Sequence, residues 1–395
     1  MSETTKTDGI AITRFDLLIG GTIALVVLAT IVLAVLSDPG RQGAMIAYLA
    51  PYTGGSPNIW VAPVDEPENA RQLSDVTIGV FDFDVSANGK FIAYAARDGE
   101  SLFNDIYVVN IQTGQTERIT SCQEEEADCT TPAFRAAGDL IAYARVDTNI
   151  SVPGVGPGAQ RIWLVDIRQK PYLSQPLSGN SQIIGHSPQW SADGRSIVFF
   201  SSDIGNPGVM FYTYAPQIGQ QSLLLLPSEA GDIGTLSADG SKLVYPVFGD
   251  GINNFNRVLQ LIDTTSPSDN LEPITLTLDD PSIDDATADF HPDGTRLVIE
   301  RRYVDGDLRT MGYQLYEMAI DSGLVTPLVV DAHYQHGLAE WDKTGEQIVF
   351  QRVRLENDDG TPAIRTNPEA WVLNVTSSDL IQISDNGFLP QWVQP

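Results

Sequence analysis

From residue 45 onward the chain alternates short apolar runs with clusters of turn-forming residues, and the runs have the length of strands rather than helices. Six passages share one pattern: an apolar or aromatic residue, a polar or small one, a turn that closes on glycine, then a strand apolar on both faces. They read VSANGKFIAY from Val85, FRAAGDLIAY from Phe134, WSADGRSIVF from Trp190, LSADGSKLVY from Leu236, FHPDGTRLVI from Phe290 and WDKTGEQIVF from Trp341. The turn glycines, Gly89, Gly138, Gly194, Gly240, Gly294 and Gly345, recur every 46 to 56 residues, the length of a four-stranded propeller blade with its loops. A second strand that is apolar on both faces suits a blade sandwiched between two others. A third strand follows each, such as DIYVVNI from Asp105 or RIWLVDI from Arg161, and then a short fourth, such as ERIT from Glu117.

The two ends complete the count. MIAYLA, from Met45, has the character of a second strand with no signature before it, and Asn58 to Val61 and Arg71 to Ser74 supply a third and a fourth. LPQWV, from Leu389, matches SPQWS from Ser187 and is a first strand with nothing after it. The pattern therefore predicts an all-β, seven-bladed propeller over residues 45–395, with one blade shared between the termini and the last strand latching the ring.

Ahead of the propeller the pattern changes. Leu17 to Leu36 is twenty residues without a charge, bracketed by Asp16 and Asp38 and stopped by Pro39-Gly40. As a helix it covers roughly 30 Å, the hydrocarbon thickness of a bilayer. A cleaved signal peptide has a shorter apolar core and a small-residue cleavage site, and Ala34 to Asp38 makes a poor one. The expectation is a cytoplasmic tail (1–15), one transmembrane α-helix (16–37), a linker (38–44) and a propeller outside the cytoplasm, at the cell membrane. Lys6 and Arg14 before the span, against Arg41 after it, favour that orientation. Cys122 and Cys129, in SCQEEEADCT, fit export if they close a small loop as a disulfide; two free thiols are the alternative.

The Trp-Ser-x-Asp-Gly signature followed by an Ile/Leu–Val/Ala–Phe/Tyr strand resembles the TolB-like, WD40-like (PD40) β-propeller repeat, and the resemblance covers residues 43–395. The repeat occurs in TolB, in tricorn-type proteases and in the propellers of dipeptidyl-peptidase IV-like enzymes. It implies the fold and, through TolB, protein–protein interaction in a cell envelope. The chain differs from TolB in lacking a separate α/β domain before the propeller, and from the peptidases in lacking a hydrolase domain after it.

Charge and candidate chemistry narrow the function. With 23 Lys+Arg against 51 Asp+Glu the net charge is −28, which excludes a nucleic-acid partner because a phosphate backbone needs a basic footprint. No G-x-S-x-G elbow, dinucleotide or phosphate-binding glycine loop, or H-E-x-x-H pair occurs. The recurring Ser/Asp pairs, as in Ser191–Asp193 and Ser237–Asp239, read as hairpin chemistry rather than as nucleophile and base. His333 and His336 are spaced to share a metal but have no ligand cluster beside them. Acidic loops are the better lead: Asp279, Asp280, Asp284, Asp285 and Asp289 crowd one crossing, with Asp305, Asp307, Glu356, Asp358 and Asp359 in later loops. Calcium would favour such oxygen ligands, with Asp284, Asp285, Asp289 and Glu340 as the candidate metal set; solvated loops with no cofactor are the alternative.

The residues preceding each signature define a predicted ring around the channel: Asp84, Ala133, Gln189, Thr235, Asp289, Glu340 and Gln391. Loops joining second to third strands, and one blade to the next, are long and share a face, so a ligand is expected there. The sequence thus reads as a membrane-anchored binding module for an envelope protein, a peptide or a glycan. The alternatives are a metal-assisted hydrolase or lactonase working at the channel mouth, and the partner propeller of a separate peptidase.

Overall fold

The computed structural model describes residues 43–180, 182–214, 223–250, 255–265 and 272–393. The span expected over Leu17–Leu36, with its tail and most of its linker, lies outside the described residues. Among those described, no helix is long and apolar enough to cross a membrane.

Seven four-stranded antiparallel sheets form the blades of a propeller. Their innermost strands are Phe388–Val393 in blade 1, Val80–Val85 in blade 2, Ala127–Phe134 in blade 3, His186–Trp190 in blade 4, Thr235–Leu236 in blade 5, Ile283–Phe290 in blade 6 and Tyr334–Trp341 in blade 7. Blades 2 to 7 run from inner to outer strand in chain order. Blade 1 is composite: the C-terminal strand Phe388–Val393 lies inside Met45–Ala50, Asn58–Pro63 and Arg71–Gln72, with Met45 opposite Val393 and Ile46 opposite Trp392.

Second strands apolar on both sides divide the core into layers between blades. Ile92 and Tyr94 of blade 2 pack against Ala47 and Ile59 of blade 1. Val349 and Val372 of blade 7 close the ring against Ile46 and Ala62 on the other side of blade 1. Each layer buries apolar area that neither blade could cover alone, so the stability of a blade depends on both neighbours.

The signature turns follow from their residues. All six turn glycines have φ between 63° and 72°, the left-handed region a side chain would strain. In blade 4 the Ser191 hydroxyl donates to Asp193 Oδ1 at 2.6 Å, and the Gly194 N–H donates to the Ser191 carbonyl at 2.8 Å. Ser237 and Asp239 repeat the first bond at 2.7 Å in blade 5. The Ser/Asp pairs build hairpins.

These short turns and the third-to-fourth-strand turns share one face, here the turn face. The opposite, loop face carries the longer connections, among them residues 148–160, 304–313 and 355–367. A second strand starts on the turn face, so the chain enters the propeller there at Met45, and the inner strand of blade 1 ends there at Val393. On the loop face, a disulfide joins Cys122 to Cys129, whose Cα atoms are 6.2 Å apart, and both cysteines are buried.

Candidate functional site: an acidic channel beneath a loop face

Inner strands run from the loop face to the turn face, and their alternation aims every second residue at the axis. In blades 2, 3 and 4 the positions one and three before the signature residue line a cavity of about 390 Å³: Asp82 and Asp84, Thr131 and Ala133, Ser187 and Gln189, with Ile233 of blade 5 and Gln391 of blade 1. A bulge lets the strand make this turn. Thr131, Ser187, Leu338 and Leu389, each three places before the aromatic, have φ between 47° and 54°. The registers of blades 3, 4 and 7 shift at the same place.

The expected ring residues also bind the blades to one another. The Asp84 carboxylate accepts the Phe134 N–H of blade 3 at 2.6 Å. Asp289 accepts the Trp341 N–H of blade 7 at 2.9 Å and the Thr235 hydroxyl of blade 5 at 3.1 Å. Glu340 accepts the Trp392 N–H of blade 1. The Gln391 amide of blade 1 donates to the Phe83 carbonyl of blade 2 at 3.1 Å. Five of the seven junctions between inner strands are thus tied through a side chain at one repeat position; Ala133 of blade 3 has no polar side chain to offer, and the buried Gln189 Oε1 of blade 4 has no partner among the described residues.

Enclosure by protein dominates the electrostatics. Burial pushes Glu340 up to about 8, aided by the Asp289 and Asp84 charges and opposed by the Trp392 N–H. Asp84 rises to about 7 through burial, against its bond from Phe134 and with the charge of Asp82 adding to the rise. Burial likewise lifts Asp82 and Asp289 to about 6, each opposed by backbone N–H bonds. The channel therefore holds carboxyls that change charge near neutrality.

Two features of the site had not been singled out in the sequence. Asp82 lies two residues before Asp84 in FDFDV, and strand alternation alone would have placed both on the axis. Glu300 sits in the second strand of blade 6, where blades 2, 3, 4, 5 and 7 carry Ala95, Ala144, Phe200, Pro246 and Gln351. It accepts the Leu338 N–H of blade 7 at 2.6 Å, and burial pushes it up to about 7. Gln351 does the same for Leu389 of blade 1, at 3.0 Å.

The proposed metal set is divided. Asp284 and Asp285 begin the inner strand of blade 6 near the loop face, whereas Asp289 lies at its far end and Glu340 at the matching end of blade 7. Asp285 is buried in a two-pronged pair with Arg301, at 2.7 and 3.0 Å. Asp284 pairs with Arg257 at 3.2 Å and Arg302 at 2.8 Å and accepts the Tyr313 hydroxyl. Arginines occupy the carboxylate oxygens a cation would need. The histidines do not converge on a metal either: His333 faces Asp331 at 3.2 Å, while His336 is buried beside Phe350, its pKa lowered to about 4 by burial and then by Arg352. Among the described residues no three His, Cys, Asp or Glu side chains are placed to hold a metal ion.

At the turn-face mouth, Lys343 of blade 7 donates from Nζ to the Ala87 carbonyl of blade 2 at 2.7 Å. It reaches past blade 1, where the chain ends replace the first-to-second-strand turn.

Known proteins share this architecture at low sequence identity. No protein-family model matches the chain, and no curated protein matches it. Among solved structures, TolB from Acinetobacter baumannii is 14% identical with a TM-score of 0.50, over 92% of this chain and 70% of that one. An oligogalacturonate lyase in complex with manganese is 15% identical with a TM-score of 0.59, over 85% of this chain and 87% of that one. A prolyl endopeptidase is 11% identical with a TM-score of 0.57, but this chain covers only 50% of it. The likeness is one of fold. TolB, a lyase and a peptidase all carry such a propeller, so the fold alone assigns no function.

Proposed function

We propose that the protein is a membrane-anchored, extracytoplasmic propeller of the TolB-like (PD40) type that binds an envelope protein, peptide or glycan through its loop face. One observation carries this reading. Of the 21 large apolar side chains exposed among the described residues of the propeller, sixteen lie on the loop face, and every second-to-third-strand loop contributes at least one. Tyr52, Leu102, Val155, Ile204, Phe255, Leu308 and Ile364 represent the seven blades in order. Single exposed apolar residues are ordinary, but a set repeated around one face marks an interaction surface.

The chain enters the propeller on the turn face, at Met45. All four lysines of the propeller, Lys90, Lys170, Lys242 and Lys343, lie on the turn face.

Placing a cysteine at Ile204 and adding a membrane-impermeant maleimide to intact cells tests location, because the native cysteines are joined to each other. The expected result is labelling without permeabilisation and retention in membranes through carbonate washing. A photo-crosslinker at Ile204, Leu308 or Ile364 should give adducts that one at Leu324, on the turn face, does not. Labelling only after permeabilisation, or adducts equally from Leu324, would overturn the reading.

A further inference from the structure

The two faces differ in charge as well as in apolar content. Loops of the loop face carry nineteen carboxylates against three arginines, Arg97, Arg309 and Arg365. Several of these carboxylates are held by their own turns. Asp203 accepts the Gly205 N–H at 3.2 Å, Asp280 the Ser282 N–H at 2.8 Å and Asp359 the Thr361 N–H at 3.0 Å. Such bonds orient a carboxylate without cancelling its charge. The acidic field continues inward: Phe81 and Leu338 are exposed on the inner strands near this mouth, with Asp82 and then Asp84 deeper in the channel.

Building on the loop face as the docking surface, we propose that its partner is a cationic polypeptide that presents Lys or Arg beside apolar side chains. The apolar ring supplies non-directional attraction, and the carboxylates around it select the sign of the partner and speed its arrival. The same field rejects other occupants. A second copy docked face to face would set nineteen carboxylates against nineteen, and anionic lipid or nucleic acid would be repelled. A Lys or Arg side chain entering the channel from this face would meet Asp82 first.

Full-length protein in zwitterionic nanodiscs, titrated with a synthetic peptide of alternating Lys and Leu, provides the test; matched Glu/Leu and Lys/Ser peptides are the comparisons. The Lys/Leu peptide should bind at least about tenfold more tightly than either, and more weakly as salt rises from roughly 0.05 to 0.3 M. Two variants, Ile204→Ser/Leu308→Ser/Ile364→Ser and Glu100→Gln/Asp305→Asn/Asp307→Asn, should each lose about tenfold in affinity. A turn-face control, Leu173→Ser/Leu324→Ser/Leu380→Ser, should stay within about twofold. Equal binding of the Glu/Leu peptide, abolished by the apolar variant, would overturn the cationic partner while leaving the docking face standing. Binding of phosphatidylcholine vesicles through the same apolar residues would replace a polypeptide with lipid. Unchanged binding in both loop-face variants, or equal loss in the control, would overturn the face itself.

Discussion

At the scale of single residues, the channel carboxyls are where the fold holds charge at a cost. The folded pKa of Glu340 is about 8, of Asp84 and Glu300 about 7, and of Asp82 and Asp289 about 6, all above the unfolded range near 4. The folded state therefore binds these protons more tightly than the unfolded chain does. Their contribution to stability is fully present below about pH 4 and is lost as pH rises through 6 to 8. Tm should fall between about pH 5.5 and 8.5, by an amount worth a few kcal/mol across the set. Glu340→Gln keeps an oxygen for the Trp392 N–H and removes the charge, so it should raise Tm at about pH 8 and flatten the profile. A variant melting below wild type at that pH would show that the ionised carboxylate is stabilising. The sequence located Asp84, Asp289 and Glu340 because each holds one position of a visible repeat. Glu300 was obscured by the apolar strand around it, and the arginine partners of Asp284 and Asp285 are brought in by neighbouring strands and a neighbouring blade.

At the scale of elements, strand identity was legible almost to the residue. MIAYLA is the observed strand Met45–Ala50, and the strand expected from Leu389 to Val393 begins one residue earlier, at Phe388. Glycine in a tight turn and β-branched or aromatic runs are local chemistry, and local chemistry is printed in the sequence. The inner-strand bulges were not legible, because Thr131, Ser187, Leu338 and Leu389 are of three different side-chain types and none of these favours the left-handed region. Across the disulfide the same distinction allows a prediction. Cys122 lies in the loop between blades 2 and 3, and Cys129 on the inner strand it feeds. Closing so short a loop is worth about 2–3 kcal/mol in chain entropy. The double change Cys122→Ala/Cys129→Ala should lower the melting free energy by about that amount and remove any response to dithiothreitol. A wild type indifferent to reductant would show that the bridge contributes nothing to stability.

At the scale of the whole molecule, ring closure is the property the repeat count alone could forecast: six complete signatures and two mismatched ends leave one shared blade. What the count could not convey is that closure is made twice. The first closure is in the sheet, where Phe388–Val393 pairs with Met45–Ala50, and Trp392 and Val393 are buried against neighbouring blades. The second is in the channel, where Glu340 accepts from Trp392 and Gln391 donates to Phe83, joining blade 7 to blade 1 and blade 1 to blade 2. Deleting Leu389–Pro395 breaks both at once. It exposes the backbone edge of Met45–Ala50 and leaves two interblade layers open on one side. Burial of one large side chain such as Trp392 is alone worth about 3–5 kcal/mol, a large share of the 5–15 kcal/mol that holds a typical domain folded. The truncated chain should lose its cooperative melt and aggregate through the exposed edge, as read by calorimetry and light scattering. Gln391→Ala removes only the channel bond from blade 1 to blade 2 and leaves Glu340 accepting from Trp392, so it should fold and melt cooperatively at a somewhat lower temperature. If the truncated chain melts like the full one, neither closure holds the ring; if Gln391→Ala fails as badly as the truncation, the channel bond outweighs the sheet.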